Sequence, residues 1–147
     1  QALTFLPRWA RGMHVFANAA AQRTVGPASA NFQGYIPRKA SWGFSLVREK
    51  YNFRMNWSHQ SKNRLGQVSA GNSIDPGTFN WQSSRVFLDI LGEYYFTKRL
   101  GVYFTLRNVG DVPDQREIEG PHTPAHAQFR SREQAGSLWT FGVKGTF

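Results

Sequence analysis

Three features of the 147-residue sequence predict an all-β fold of antiparallel, up-and-down strands. Apolar and polar residues alternate with a period of two over several strand-length stretches. Short turns and long polar connections take turns along the chain. Aromatic residues make up 15% of the chain, as 12 Phe, 5 Trp and 5 Tyr, a share that suits sheets and membrane interfaces.

Composition narrows the class. The length is that of one domain. There is no cysteine, which excludes disulfides and Cys-based zinc sites. The mean hydropathy is −0.50, and no run reaches the ~18 apolar residues of a membrane helix. Barrel strands leave only a weak trace in such a window, so a membrane stays open. The formal net charge of +9 and pI of about 10.5 suggest a polyanion, either nucleic acid or an anionic membrane surface. The cations are dispersed, in short turns (Arg8, Arg11, Arg48, Lys50, Lys98, Arg99) and in long connections (Arg38, Lys39, Lys62, Arg64, Arg130, Arg132). No run is dense enough to be a nucleic-acid arm. The chain opens on Gln1 without a signal peptide, with strand-like sequence almost at once, so a mature or truncated chain is expected.

Residues 2–6 read as the end of a strand, and residues 7–12 as a basic turn. A strand is predicted over 13–21, where Met13, Val15 and Ala17 alternate with His14, Phe16 and Asn18. Gly and Pro mark 22–38 as a loop. Residues 39–48 place Ala40, Trp42, Phe44 and Leu46 on one face. After a tight turn at Glu49 and Lys50, residues 51–59 set Tyr51, Phe53, Met55 and Trp57 against Asn52, Arg54, Asn56 and Ser58. This is the cleanest alternation in the chain and predicts a hairpin. Residues 61–84 read as a long polar loop. The strand at 85–96 carries Val86, Leu88, Ile90, Tyr94 and Phe96 on one face, with Asp89 and Glu93 on the other. A turn at 97–100 leads to 101–109, where Val102, Phe104 and Leu106 oppose Tyr103, Thr105 and Arg107. Residues 110–136 read as another long loop. The closing strand, 137–147, alternates Trp139, Phe141, Val143 and Phe147 with Thr140 and Lys144.

Short turns at one end and long loops at the other are how outer-membrane barrels are built. A soluble meander has no reason to place every long connection on one side. The aromatics follow the same geometry. Trp42, Trp57 and Trp139 lie on the apolar face near long loops. Tyr51, Phe53, Tyr94, Phe96, Phe104 and Phe147 lie on that face near the short-turn end, with Leu46, Met55, Ile90 and Val143 in or near the middle. Two aromatic belts around an apolar band are expected of a transmembrane sheet.

At this point the chain resembles the carboxy-terminal barrel of TonB-dependent outer-membrane receptors. Ile36-Pro37-Arg38-Lys39, leading into Ala40-Ser41-Trp42-Gly43-Phe44, resembles the start of a late barrel strand. Leu88-Asp89-Ile90 through Tyr94-Tyr95-Phe96-Thr97 resembles the strand, short turn and strand near the barrel's end. Leu106-Arg107-Asn108-Val109-Gly110-Asp111 resembles the family's Asn-Leu-Phe/Thr-Asp/Asn element. Residues 137–147 resemble the terminal strand with its last aromatic. Gly110 and Gly145 stand where the family often has larger residues. The plug domain and energy-coupling box of such receptors are not in this sequence. About seven strands are expected here against the ~22 of a full transporter, so the resemblance implies a partial barrel. It implies a place in the bacterial outer membrane and energy-coupled uptake of a scarce nutrient such as a ferric siderophore, cobalamin or a glycan. It also implies partners: outer-membrane lipid, the TonB complex, and the barrel-assembly machinery, which would read Trp139, Phe141, Val143 and Phe147 as a signal.

The polar faces carry Arg54, Asp89, Glu93, Arg107 and Lys144, expected to line the lumen. Asp89 and Glu93 share a face but lie ~13 Å apart at strand rise, too far for a paired-carboxylate mechanism. His122 and His126 flank Pro124 with a spacing that binds metal on a helix, but prolines and the lack of a helical period argue against one here. No phosphate loop, nucleophile elbow or triad is present. An enzyme, a cofactor and nucleic acid are therefore not expected. Two alternatives remain. A small autonomous barrel would pair residues 2–6 with 137–147 and serve as a scaffold or adhesin. A soluble basic sheet would stack bases on Trp42 and Trp57 amid lysines and arginines.

Overall fold

The computed structural model describes residue 7 and residues 12–26, 33–71 and 74–145. The described chain is all-β and antiparallel apart from one 3-10 turn at Ala125–Ala127. Its strands are β1 (Met13–Ala21), β2 (Arg38–Val47), β3 (Tyr51–Gln60), β4 (Asn63–Gln67), β5 (Phe79–Gln82), β6 (Arg85–Tyr95), β7 (Leu100–Arg107), β8 (Asp114–Glu119), β9 (Phe129–Glu133) and β10 (Leu138–Gly145). A six-stranded sheet runs β1-β2-β3-β6-β7-β10, and a four-stranded sheet runs β4-β5-β8-β9. The outer strands β1 and β10 of the larger sheet do not pair with one another, so it is open among the described residues.

The six long strands fall where the alternation predicts them, within a residue or two at each end. The expected strand at 2–6 and the terminal residues 146–147, Phe147 among them, lie outside the described residues. The two long connections differ from expectation. Residues 61–84 and 110–136 contain β4, β5, β8 and β9. These strands run only four to six residues, and apart from the aromatic pair Phe79 and Trp81 of β5 they are largely polar, so no sustained apolar alternation marks them. Cross-strand ion pairs and aromatic contacts hold them instead.

The smaller sheet repeats the lateral order of the larger one. β3 continues into β4 through residues 61–62, and β5 into β6 through 83–84. β7 leads to β8 through 108–113, and β9 to β10 through 134–137. Strands β3, β6, β7 and β10 therefore extend upward as two hairpins, joined by the β5–β8 pairing of Phe79 with Glu119 through Gln82 with Arg116.

At the other end the connections are tight. The Arg48 N–H donates to the Tyr51 carbonyl at 2.8 Å. In the next turn, the Thr97 hydroxyl accepts from the N–H groups of Leu100 at 3.0 Å and Arg99 at 3.2 Å. The Tyr95 N–H donates to the Lys50 carbonyl at 2.7 Å and binds the two turns together.

Register aligns the apolar residues into rows across all six strands. One row is Val15, Phe44, Met55, Ile90, Leu106 and Trp139. The next is Met13, Leu46, Phe53, Gly92, Phe104 and Phe141. Glycines admit the large rings opposite them. A Cβ on Gly92 would sit 2.2 Å from the Phe104 ring, and one on Gly142 would sit 2.4 Å from Tyr103. No large side chain among the described residues is fully buried. The apolar rows form an uncovered face rather than a core.

Candidate functional site

Two faces of the larger sheet carry the residues of interest. On the apolar face, Trp42 stands directly opposite Trp57, and Tyr51 opposite Tyr94. Between the row of Ala40 and the row of Tyr51 this face has no Asp, Glu, Lys or Arg. Phe44 lies 6.0 Å from Phe53 and 6.5 Å from Trp57 between ring centres. Tyr94 meets Phe96 edge-on at 5.2 Å beside the second short turn. Exposure is greatest on the outer strand β10, at 61% for Trp139, 68% for Phe141 and 70% for Val143. Trp139 lies in the row of Ile90, two residues closer to the short turns than the row of Trp42 and Trp57.

The opposite face gathers all five polar residues read from the sequence. Arg54, Asp89, Glu93, Arg107 and Lys144 project on the same side, among Ser45, Asn52, Asn56, Thr105 and Thr140. Their partners differ. Lys144 Nζ reaches Glu93 Oε1 at 2.8 Å and lies 4.8 Å from the Tyr95 ring centre. The Tyr95 hydroxyl donates to Glu93 at 3.1 Å. Asp89 accepts the backbone N–H of Asn108 at 3.0 Å. Asp89 and Glu93 thus serve separate networks. Arg54 and Arg107 have no ion-pair partner among the described residues.

Asn108 ends β7 with a positive φ of 51°, a conformation that Asn tolerates better than most residues. Its amide nitrogen donates to the carbonyls of Val112 at 3.3 Å and Gly136 at 3.2 Å. Its amide oxygen accepts the Val112 N–H at 2.9 Å. The turn is filled by its own hydrogen bonds, and Asn108 anchors the start of β10 against the end of β7.

The smaller sheet holds a cluster that sequence reading missed. Lys62 Nζ pairs with Glu117 at 2.7 Å and also with Glu119. It sits 5.5 Å from the Trp81 ring centre, while Arg64 lies 4.5 Å from that of Phe79. Glu117 further accepts from the Ser83 hydroxyl at 2.7 Å and the Gln115 amide at 3.2 Å. Asp114 accepts from Gln82 at 2.8 Å and lies 3.6 Å from Arg85 and 3.8 Å from Arg116. Partial burial works against the Lys62 charge, but the hydrogen bonds and charges of Glu117 and Glu119 prevail and raise its pKa. The Lys62 and Ser83 hydrogen bonds hold the Glu117 carboxyl below its ordinary value against the desolvation that would raise it. The period-two pairs Phe79/Trp81 and Glu117/Glu119 are the sequence signal that marks these strands.

His122 hydrogen-bonds the exposed Asp75 at 3.0 Å, and His126 lies in the 3-10 turn. The structure does not bring the two histidines into a metal cage. No group of three or more His, Asp or Glu able to hold a metal ion occurs among the described residues.

No protein-family model, curated protein or solved structure matches the chain.

Proposed function

We propose that this chain is part of the wall of an outer-membrane β-barrel of the TonB-dependent receptor kind. It would serve energy-coupled uptake of a scarce nutrient. The observation that carries the reading is the uncovered apolar face, continuous across six strands and free of charge between its aromatic margins. Strands of 8 to 11 residues match the ~9–11 that cross a bilayer. In water, a face this large and apolar is a liability unless something covers it. Lipid covers it without a second protein layer. Barrel strands are tilted, so residues at equal depth are not directly opposite one another. A two-residue offset of Trp139 is compatible with one belt.

The opposite face supports the same reading. It is more polar, carries the Glu93–Lys144 pair alongside Val47, Phe87 and Leu91, and has the character of a lumen wall. The two hairpins of the smaller sheet would stand outside the membrane as a preformed platform at the mouth. Ligand capture there, coupling through the TonB complex, and insertion by the barrel-assembly machinery follow from the family resemblance. Base stacking on Trp42 and Trp57 gains no support, because their face carries no Lys or Arg between its margins.

The absence of cysteine makes a direct test clean. Single cysteines at positions 52–58, carrying a polarity-sensitive dye, should give alternating emission in lipid vesicles. Positions 53, 55 and 57 should be blue-shifted and quenched by brominated lipid, and positions 52, 54, 56 and 58 should not. Uniform emission along β3 would overturn the membrane reading. For transport, cells lacking the protein should lose uptake of one scarce nutrient, and a protonophore should reproduce the loss. Uptake indifferent to the protonophore would sink the energy-coupled part.

A further inference from the structure

The two ends of the sheet handle charge differently. At the long-connection end carboxylates are plentiful, and three of the cations are ion-paired. Lys62 pairs with Glu117 and Glu119, and Arg85 and Arg116 with Asp114. Arg130 is bound to the Asn80 side chain. At the short-turn end, Lys50, Lys98 and Arg99 lie near a single carboxylate, Glu49. The side chains of Lys50, Lys98 and Arg99 are exposed and have no partner among the described residues.

These cations are held together by the fold. The Tyr95–Lys50 backbone hydrogen bond of 2.7 Å sets the two turns side by side. Between them lies a cleft of about 420 Å³ lined by Glu49, Lys50, Tyr95, Phe96, Thr97 and Lys98. The edge-on Tyr94–Phe96 pair stands at its margin on the apolar face, where rings mark headgroup depth. Uncompensated cations thus sit one step beyond the aromatic margin of a lipid-covered face.

We infer that the paired short turns form a binding site for the phosphate of anionic phospholipid headgroups. This inference rests on the membrane reading above. Lys50, Lys98 and Arg99 supply the charge. The aromatic pair sets the depth at which the glycerol backbone meets the protein. The occupant is a lipid rather than a free phosphate, because the cleft opens beside apolar rings. A cation near an anionic surface favours association about fivefold, and the attraction is screened beyond ~10 Å at 0.1 M salt.

The test uses the chain refolded in phosphatidylcholine vesicles with trace spin-labelled lipid, read as the motionally restricted fraction. Labelled phosphatidylglycerol should be held roughly fivefold more than labelled phosphatidylcholine. The triple variant Lys50→Gln/Lys98→Gln/Arg99→Gln should bring the two labels to parity. Removing three cations from the opposite end (Arg23→Gln, Arg38→Gln, Lys39→Gln) should leave the preference in place. Parity in the unmodified chain would overturn the inference while leaving the membrane reading intact. Equal loss in both triple variants would reduce the effect to net charge and likewise overturn it. A chain that restricts neither lipid would fail the membrane reading, and the inference with it. Free phosphate that abolishes the preference, where chloride at equal ionic strength does not, would reassign the cleft to a soluble anion.

Discussion

The side-chain amide of Asn108 donates to the backbone carbonyl of Gly136 at 3.2 Å, joining the end of β7 to the start of β10 across 28 positions of sequence. The same side chain satisfies both polar groups of Val112. The residue type therefore matters for two separable reasons, its hydrogen bonds and its positive φ.

Asn108→Ala should lose both and destabilise the fold by about 2–4 kcal/mol. Asn108→Gly should cost less, because glycine takes positive φ without strain. Urea unfolding followed by tryptophan emission measures the difference. Equal losses in the two variants would show that backbone conformation plays no part.

Two glycines opposite aromatic rings should respond unequally to a methyl group. At Gly43 the new Cβ would meet the Met55 carbonyl oxygen at 2.2 Å, and that backbone belongs to the β2–β3 ladder. At Gly142 it would meet the Tyr103 ring, which can swing aside. Gly43→Ala should cost about 2–3 kcal/mol and Gly142→Ala about 1 kcal/mol. Adding Tyr103→Ala should relieve the second. Adding Phe16→Ala should leave most of the first. A double-mutant cycle reads the coupling.

Charge placed on the two faces should separate them sharply. Ile90→Lys puts an ammonium in the middle of the apolar face and should reduce folding into vesicles by about 2–4 kcal/mol. Thr105→Lys, on the polar face, should cost less than about 1 kcal/mol. Protection of the vesicle-bound chain from added protease reports the folded fraction. Equal tolerance of both substitutions would contradict a lipid-facing surface.

The smaller sheet should have its own pH window. The Glu117 carboxyl is depressed from an ordinary 4.5, so its stabilisation is present above that value and lost as pH falls through the folded pKa. The Lys62 ammonium is raised from 10.5, so its share is present below that value and lost as pH rises through the folded pKa. The sheet should be most protected between these limits. Solvent reaches Lys62, so the effect is expected at about 1 kcal/mol or less. Amide exchange at β5 and β8 measures it. Lys62→Gln should flatten the alkaline limb and weaken the acidic one.

The larger sheet was legible because one of its faces is apolar. Tyr51, Phe53, Met55 and Trp57 could not alternate with Asn52, Arg54 and Asn56 in any other structure without exposing one set wrongly. The same rule hid the smaller sheet. Its strands are short, β8 and β9 carry charge on both sides, as in Asp114-Gln115-Arg116-Glu117, and their stability comes from partners such as Lys62, 55 positions from Glu117. Periodicity within a window does not register a bond over that span. Parity within each strand sets the side on which Arg54, Asp89, Glu93, Arg107 and Lys144 project, and the register puts those sides together. The Glu93–Lys144 pairing was not legible, because it depends on the register of β6, β7 and β10 together.

The β5–β8 pairing bears on how the larger sheet stays aligned. A strand that slips by two residues keeps its apolar side outward, so the alternation alone does not forbid the error. Between β6 and β7, the turn at residues 96–99 sets the alignment from below. The smaller sheet sets it again from above, since Phe79 faces Glu119 only when the strands beneath are in step. The outer hairpins thereby act as a second lock on the same seam. Lengthening their tips, at residues 68–78 or 120–128, should be harmless. Inserting two residues at 83–84 should force either the larger sheet or the hairpins out of step.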